Sequence, residues 1–313
     1  MKSLIVTGGA GFVGSNLVMY LQEHFQDSHI IVIDDFRQSG FKNLEGFKGD
    51  VIASNVAGRE WINAVKSTKI NAIFHIASIT DTTVMDERKM MYDNVESFRN
   101  ILDLAVEKSA PVVYASSAAV YGSQSRTMKE EDGGRPNNIY GFSKWVMENL
   151  AATYYSKIKV VGLRYFNVFG PGEYHKGLAA SMIYQLARQM IEGKRPKIFK
   201  WGEQKRDFVY IKDVVAATVG ALSAKENTVI NVGTGKSTSF NEIVEILNKI
   251  LNSGRKPVYF DNPYGFYQDF TEADISKAKD VTGYEPRYTT ALAIEEYVTK
   301  YLLSEDVKLQ VVV

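Results

Sequence analysis

Three glycines spaced three residues apart, directly after an apolar run, constrain the fold of this sequence more than any other feature. The apolar residues 4–6 predict a buried strand, Gly8, Gly11 and Gly14 follow, and residues 12–25 predict an amphipathic helix. Glycine lets the backbone turn tightly beside a bound group, and a helix N-terminus offers free N–H groups to an anion. Taken alone, three glycines are also typical of a simple, tight strand-to-helix connection. In this context the predicted pyrophosphate contacts are Gly8, Gly11, Phe12, Val13 and Gly14.

Short β-branched runs alternate with amphipathic stretches through the first half of the chain. Parallel strands need long crossovers, and because they are covered on both faces they are continuously apolar. This pattern predicts a doubly wound, Rossmann-like parallel α/β sheet. Its predicted strands are residues 4–7, 30–34, 51–55, 72–76, 112–115 and 160–163, and its predicted helices are residues 12–25, 86–108 and 140–157.

The regular alternation weakens after about residue 165. Loops rich in Gly, Pro and Tyr then surround isolated helices predicted over residues 178–192 and 240–251. We expect residues 1–165 to form a dinucleotide-binding domain and residues 166–313 to form mainly a smaller, mixed α/β substrate-binding lobe. Residues 207–235 resume a helix and strand pattern, so this segment is expected to return to the main sheet.

Charge and residue content exclude several classes of function. The 37 basic and 36 acidic side chains leave a formal charge of +1, which gives no overall attraction to nucleic acid or to an anionic membrane. The chain has no cysteine, which excludes disulfides and thiolate chemistry, and its four histidines show no metal-ligand spacing. The first apolar run is too short for an export signal or a membrane span, so a cytoplasmic protein without a metal is expected.

The second predicted strand ends where a dinucleotide would place its adenosine ribose. Asp34 can accept a hydrogen bond from a ribose hydroxyl there. Arg37 and Lys42 follow in the loop and could pair with the 2′-phosphate of NADP, whereas Asp34 and Asp35 would repel it. A solvated loop face explains the two basic residues equally well, so NADP and NAD both remain open at this point.

The ends of the third and fourth predicted strands supply the other cofactor contacts. Asn55 could hold adenine by an amide hydrogen bond and Val56 by an apolar contact. His75 as a base or a metal ligand is one interpretation, but a packed, hydrogen-bonded histidine at a strand end is the one we favour. The residues expected to lie against the cofactor here are His75, Ile76, Ala77 and Ser78.

The residues that carry chemistry are a serine, a tyrosine and a lysine. Tyr140 and Lys144 start a predicted helix, and their i to i+4 spacing puts both on one face. A phenol with a pKa of about 10 is a poor base, so the lysine charge and a cationic nicotinamide would be needed to lower that pKa. Ser117 follows the fifth predicted strand at the sheet edge where ligands bind, and it can hold the reacting oxygen. The YxxxK pattern is common on protein surfaces, but its order after the glycine turn and the serine argues against chance.

These residues resemble the extended short-chain dehydrogenase/reductase family over nearly the whole chain. The runs RYFNVFGP from residue 164 and RDFVY from residue 206 are shared by many sugar-nucleotide epimerases and dehydratases. The HKG run of residues 175–177 after GPGE, together with Tyr140 and the run YQDFT from residue 267, is similar to the ADP-L-glycero-D-manno-heptose 6-epimerases within that family.

The resemblance implies an isomerase that inverts one carbon of a nucleotide-activated sugar, ADP-heptose, with tightly bound NADP. Ser117, Tyr140 and Lys144 match catalytic positions, and Lys176 matches a second acid/base on the opposite side of the sugar. A carbon that bears only a hydroxyl has no adjacent carbonyl to make its proton acidic, so its inversion requires transient oxidation. A homo-oligomer such as a pentamer is implied as well.

The resemblance assigns further contacts position by position. Two of these positions have a competing interpretation. Lys176 could be an ordinary surface lysine, and Arg206 could form a structural ion pair. Arg206 would grip the diphosphate, a task that suits its planar fork of donors. The implied additional cofactor contacts are Asn94 and Phe166, and the implied substrate contacts are Ser78, Thr80, Ser117, Asn167, Lys176, Gln185, Phe199, Arg206 and Tyr267.

Other members of the same superfamily are the nearest rivals. A UDP-hexose 4-epimerase needs only one tyrosine base, and it remains the main alternative. A 4,6-dehydratase would place an Asp-Glu pair just after the serine, where this chain has Ala118 and Ala119. A non-catalytic dinucleotide sensor and a plain alcohol dehydrogenase are the alternatives from other classes.

Overall fold

A seven-stranded sheet forms the centre of the protein. The computed structural model describes residues 2–80, 86–262 and 268–304, apart from the side chain of Leu178. All six strand pairings in the sheet are parallel, in the order β11-β6-β5-β4-β1-β2-β3. The predicted doubly wound fold is therefore confirmed. The strands are β1 Lys2–Thr7, β2 Ser28–Asp34, β3 Asp50–Ala53, β4 Ile70–His75, β5 Val112–Ser117, β6 Val160–Tyr165 and β11 Thr228–Val232.

Two hydrophobic cores lie against the two faces of this sheet. Side chains alternate along a strand, so Leu4 and Val6 of β1 belong to one core and Ile5 to the other. Both faces are covered by helices, which explains why the strands are continuously apolar. The helices are α1 Phe12–His24, α2 Ile62–Val65, α3 Glu87–Met91, α4 Ser97–Lys108, α5 Ile139–Ala152, α6 Met182–Ile191, α7 Ile211–Gly220, α8 Phe240–Ile250, α9 Ser276–Thr282 and α10 Thr290–Tyr297.

Three short strand pairs lie among the helices of the region after the sixth strand of the chain. They are β7 Asn167–Phe169 with β10 Phe208–Tyr210, β8 Lys197–Phe199 with β13 Val258–Phe260, and β9 Lys205–Arg206 with β12 Thr238–Ser239. The late strand β11 pairs with β6 at the edge of the main sheet. Within the described ranges, no helix is long and apolar enough to cross a membrane.

The helix predicted over residues 86–108 is interrupted. A wide π-helical turn, Tyr92–Glu96, separates α3 from α4. It turns the side chain of Asn94 inward, where it accepts from the Ile79 N–H (2.8 Å) and donates to the Ser143 hydroxyl (2.9 Å). An apolar pattern cannot reveal this turn, because the hydrophobic spacing continues through it. The helix predicted over residues 178–192 begins only at Met182, since Ser181 caps it by accepting from the Tyr184 N–H (3.1 Å).

Candidate active site

A cleft of about 690 Å³ opens along the edge of the sheet where β1, β2, β4 and β5 end. The strand order reverses between β1 and β4, and ligands of open α/β sheets bind at such a switch point. The cleft brings together most of the predicted site residues: Gly8, Gly11, Phe12, Val13, Gly14, Asp34, Asp35, Arg37, Asn55, Val56, Ile76, Ala77, Ser78, Thr80, Ser117, Tyr140, Lys144, Phe166, Asn167, Lys176 and Arg206.

Five predicted residues of the described ranges are not among the cleft-lining residues. Lys42 is exposed on the loop after β2. Asn94 is buried beneath Ile79, Gln185 donates to the Ala180 carbonyl (2.8 Å), and Phe199 packs edge-on against Phe260, with ring centroids 4.9 Å apart. The fifth is His75. The predicted contact Tyr267 lies outside the described residues.

His75 is fully buried at the end of β4. Its Nδ1 is 2.8 Å from the Thr7 hydroxyl, and its ring stacks on Phe98 with centroids 5.3 Å apart. Burial lowers the pKa of His75 to about 3, and the charge of Lys144 acts in the same direction. The ring is therefore neutral and packed at ordinary pH. Within the described ranges, no group of three or more His, Asp or Glu could hold a metal ion.

The glycine turn forms a cradle lined by backbone. Gly8 has a φ of +69°, and a Cβ placed on it would lie 2.6 Å from the Ala77 nitrogen. A Cβ on Gly14 would overlap the Gly8 carbonyl oxygen. Helix α1 begins just beyond, with Gly11 as its N-cap and no acidic residue in its first turn. Free N–H groups and a positive dipole end therefore face the cleft beside the closely packed turn, which fits a pyrophosphate.

The end of β2 is fixed by hydrogen bonds to Asp34. This carboxylate accepts from the Ala10 N–H (3.0 Å), the Phe36 N–H (2.9 Å) and the Ser39 hydroxyl (2.9 Å). It therefore joins the glycine turn to the loop that follows β2, at the position where a ribose would lie.

Asp93 is a buried carboxylate beside this loop, and the sequence analysis did not identify it. Asp93 accepts from Arg37 NH1 (2.7 Å) and from Lys89 Nζ (2.7 Å), and Arg37 Nε also reaches Asp35 (2.6 Å). Burial acts to raise the pKa of Asp93, but the hydrogen bonds from Lys89 and Arg37 hold it below its ordinary value. The guanidinium therefore lies on the cleft wall between two carboxylates. The i, i+4 spacing of Lys89 and Asp93 was the available signal in the sequence.

Tyr140 stands in the first turn of α5. Asn138 caps this helix by accepting from the Gly141 N–H (2.8 Å). One turn later Lys144 is buried, its Nζ donating to the Ala115 carbonyl (2.8 Å) and lying 5.9 Å from the Tyr140 ring centroid. Ser117 ends β5 beside them. The helix thus brings the phenol and the ammonium to the strand end that carries the serine.

The electrostatics of this group differ in part from expectation. Burial raises the pKa of Tyr140, and a hydrogen bond with Ser117 only partly opposes it. Burial also lowers the pKa of Lys144 to about 7, while Glu148 acts to raise it. The lysine was expected to lower the pKa of the phenol. In the protein alone, burial of the phenol outweighs this effect, and the lysine Nζ is directed at the Ala115 carbonyl.

Lys176 lies on a short helical turn, Tyr174–Ala179, and its Nζ is 5.7 Å from the ring centroid of Phe12. Burial lowers the pKa of Lys176, and the charge of Glu173 opposes this. Asn43, which the sequence analysis did not single out, holds the preceding residue through a 3.1 Å contact between its Nδ2 and Nδ1 of His175. Lys176 therefore enters the cleft from the side of α1, whereas Tyr140 enters from α5.

Arg206 closes the far end of the cleft. Its NH1 donates to the Lys205 carbonyl (2.9 Å), its NH2 donates to the Gln268 carbonyl, and its Cζ lies 5.9 Å from the ring centroid of Phe240. The next residue, Asp207, is buried, and burial raises its pKa to about 6. Asp207 accepts backbone hydrogen bonds from three residues of neighbouring loops, which fixes the wall behind Arg206: Thr234, Gly235 and Ala273.

One buried polar atom in the cleft has no partner. The hydroxyl of Ser78 makes no hydrogen bond within the part of the chain that the structure describes. Buried hydroxyl groups are almost always hydrogen-bonded, so this atom, beside the cradle of glycine backbone, is suited to a bound polar group. The donor set and the free space of the cleft thus fit a dinucleotide.

The fold and this cleft define a dinucleotide-binding protein of the extended short-chain dehydrogenase/reductase type. The sequence profile of the NAD dependent epimerase/dehydratase family matches residues 4–233. The chain belongs to this family.

Comparison with individual proteins gives a narrower likeness. The chain is 37% identical over 294 residues to the ADP-L-glycero-D-manno-heptose-6-epimerase of Brachyspira hyodysenteriae, across 90% of this chain and 92% of that protein. The crystal structure of the enzyme of that name from Helicobacter pylori matches with a TM-score of 0.90 and 39% identity, across 97% of this chain and 96% of that one. The UDP-glucose 4-epimerase of Thermotoga maritima, solved with UDP-glucose, matches with a TM-score of 0.89 and 26% identity, across 97% and 99%.

Proposed function

We propose that the protein is an epimerase that converts ADP-D-glycero-D-manno-heptose into ADP-L-glycero-D-manno-heptose by inverting C6. The observation that carries the proposal is that Tyr140 and Lys176 line one cleft together with the glycine turn, each reaching it from a different element. The sugar is suggested by the two heptose-epimerase relatives, at 37% and 39% identity.

The chemistry requires a hydride acceptor. C6 of the substrate bears a hydroxyl and has no neighbouring carbonyl, so its proton cannot be removed directly. A bound nicotinamide supplies a reversible hydride acceptor for this step. The cradle at Gly8 and Gly14 would hold the pyrophosphate, and Asp34 and Ser78 would hold the polar groups on either side of it.

The protein groups handle the protons. In the oxidation the C6–H and O–H bonds break: the hydride would pass to the nicotinamide, the proton passes to Tyr140, which acts in its phenolate form, and the hydroxyl of Ser117 holds the oxygen. In the return step the hydride adds to the other face of the ketone, and the ammonium of Lys176 donates the proton that completes the hydroxyl. Tyr140 then gives up a proton and Lys176 regains one through solvent. Lys144 supplies positive charge beside the phenol, 5.9 Å from its ring centroid.

We propose NADP as the cofactor, with NAD as the alternative. Asp34 already accepts three hydrogen bonds from the protein, which leaves it less capacity for ribose hydroxyls. Arg37 lies next on the cleft wall, and a 2′-phosphate would compete with Asp35 and Asp93 for its guanidinium.

Identification and titration of the cofactor test this choice. Mass spectrometry of the nucleotide released from purified protein should show NADP. Titration of the stripped protein should show that Arg37→Ala weakens NADP about tenfold, equivalent to about 1.4 kcal/mol, and leaves NAD unchanged. Released NAD, or an equal loss for both cofactors, would contradict the proposal.

The substrate is tested by incubating the protein with ADP-D-glycero-D-manno-heptose and following C6 by NMR. Conversion to the L-glycero form without added cofactor is the expected result. Turnover of UDP-glucose in its place would assign the protein to the 4-epimerases.

A cytoplasmic location and a homo-oligomer such as a pentamer are part of the same proposal. Sedimentation of the purified protein measures the number of subunits.

A further inference from the structure

A buried ion pair lies directly beneath the strand end that carries Ser117. Glu148 accepts from Arg164 Nε (2.9 Å) and NH2 (2.7 Å), and from the Ser116 hydroxyl (2.5 Å). The side chains of Glu148 and Arg164 are 5% and 3% exposed, so both charges are withdrawn from water. A buried pair of this kind adds little net stability, which makes its placement beside the reacting groups informative.

Arg164 is held so firmly that it fixes the position of the carboxylate. It stands opposite Ser116 in the pairing of β5 with β6. Its NH1 donates to the Glu130 carbonyl (2.8 Å), and its Cζ lies 4.8 Å from the ring centroid of Tyr121. With both oxygens of Glu148 bound by fixed partners, the negative charge has one defined location.

That location is one helical turn from Lys144. Residues four apart on a helix are neighbours on the same face. Lys144 Nζ has one hydrogen bond, to the Ala115 carbonyl, and no carboxylate within the described ranges lies within 4.0 Å of it. Burial acts to lower the pKa of Lys144, and Glu148 is the charged group that opposes this. The ammonium form therefore depends on a carboxylate that it does not touch.

We propose that Glu148 is a positioning residue for the epimerase reaction: held by Arg164 and Ser116, its carboxylate keeps Lys144 in the charged form beside Tyr140. This inference rests on the proposed function, because that function gives the charge of Lys144 its purpose. The alternative is a purely structural pin between α5, β5 and β6. A purely structural role would affect the stability of the protein and leave the titration midpoint of Lys144 unchanged.

Titration of Lys144 separates these two roles without any substrate. The protein is labelled with ¹³C at lysine Cε, and the Lys144 signal is assigned by its absence in Lys144→Met. We expect the titration midpoint of Lys144 to fall by about one pH unit or more in Glu148→Gln, which keeps the shape of the side chain and removes its charge. An unchanged midpoint in the folded variant would overturn the proposal.

Two further variants keep the test decisive. Ser116→Ala removes a hydrogen bond to Glu148 but keeps its charge, so its midpoint should equal that of the wild type. Glu148→Gln leaves the buried Arg164 without a charged partner, and if that variant does not fold, Glu148→Gln/Arg164→Met removes both charges and should still show the lowered midpoint. A drop in Ser116→Ala as large as that in Glu148→Gln would assign the effect to packing and overturn the proposal.

The pH profile of kcat gives the matching functional readout. The ammonium form exists below the pKa of Lys144, so a lowered pKa moves the alkaline limb of the profile to lower pH. We expect this shift in Glu148→Gln, whereas a structural defect would reduce kcat at all pH values alike. The proposed function fails if the wild type converts no sugar nucleotide, whereas the positioning role fails if the Lys144 midpoint does not move.

Discussion

Gly14→Ala is the sharpest test of the glycine cradle. The added Cβ would overlap the Gly8 carbonyl oxygen and lie 2.7 Å from the Gly8 carbonyl carbon and 2.9 Å from the Gly9 Cα. Ordinary contacts begin near 3.4 Å, so the turn and the start of α1 must separate by about 1.4 Å to clear the Gly8 oxygen. Overpacking of this size costs about 1–3 kcal/mol of stability.

The same movement should weaken the cofactor. The N–H groups of the turn and of the helix start are the proposed phosphate donors. Losing two hydrogen bonds to a charged group, at about 1.5 kcal/mol each, corresponds to about a 100-fold weaker affinity. Fluorescence titration of the stripped protein measures this affinity, and denaturant unfolding without cofactor measures the stability.

Gly220→Ala is the matched control. Gly220 ends α7 with helical backbone angles, and nothing lies within 4 Å of a Cβ placed there. Alanine should stabilise the protein slightly, by up to about 1 kcal/mol, and leave cofactor affinity unchanged. If Gly14→Ala matches the wild type in both assays, the cradle does not bind the pyrophosphate in the way the geometry requires.

Three further changes have defined outcomes. Tyr140→Phe should lower kcat about 10²- to 10⁴-fold in steady-state assays while the cofactor stays bound, and near-normal turnover would exclude the phenol as the acid/base. Lys176→Ala should lower heptose epimerisation about 100-fold or more in the same assay, whereas an enzyme that needs only one base would hardly respond. Because the folded pKa of His75, about 3, lies below its ordinary 6.5, its contribution to stability is present above pH 6.5 and is lost as the pH falls towards 3. As the pH falls across this window, the free energy of unfolding of the wild type should decrease by about 1.4 kcal/mol per pH unit more than that of His75→Asn. Equal slopes for the two proteins would show that His75 titrates normally.

Local patterns predicted the sheet and the placement of most site residues because both depend on short-range spacing. The glycine turn and Asp34 each follow an apolar strand, so the sequence alone puts them at one sheet edge. Tyr140 and Lys144 needed only helical spacing. Gln185 does not line the cleft because its side chain donates to the Ala180 carbonyl. Phe199 does not line it because its ring packs against Phe260.

What the sequence could not supply are contacts between distant residues and the effects of burial. Glu148 meets Ser116 and Arg164 from 32 and 16 residues away, and no local pattern encodes those distances. The direction of the Tyr140 pKa shift depends on how deeply the phenol and its lysine are buried, which spacing does not reveal. The π-helical turn at Tyr92–Glu96 leaves the hydrophobic pattern unbroken, so the sequence predicts a continuous helix there.

The fate of the hydrogen on C6 tests the central claim most directly. ADP-D-glycero-D-manno-heptose carrying deuterium at C6 is converted by the protein in ordinary water, and the unlabelled substrate is converted in deuterium oxide. If the hydride is taken and returned within one cleft, the product keeps its deuterium in the first case and gains none in the second, and no reduced cofactor accumulates. Loss of the label, or entry of solvent deuterium at C6, would show that the carbon is inverted by proton exchange and would contradict the proposed chemistry.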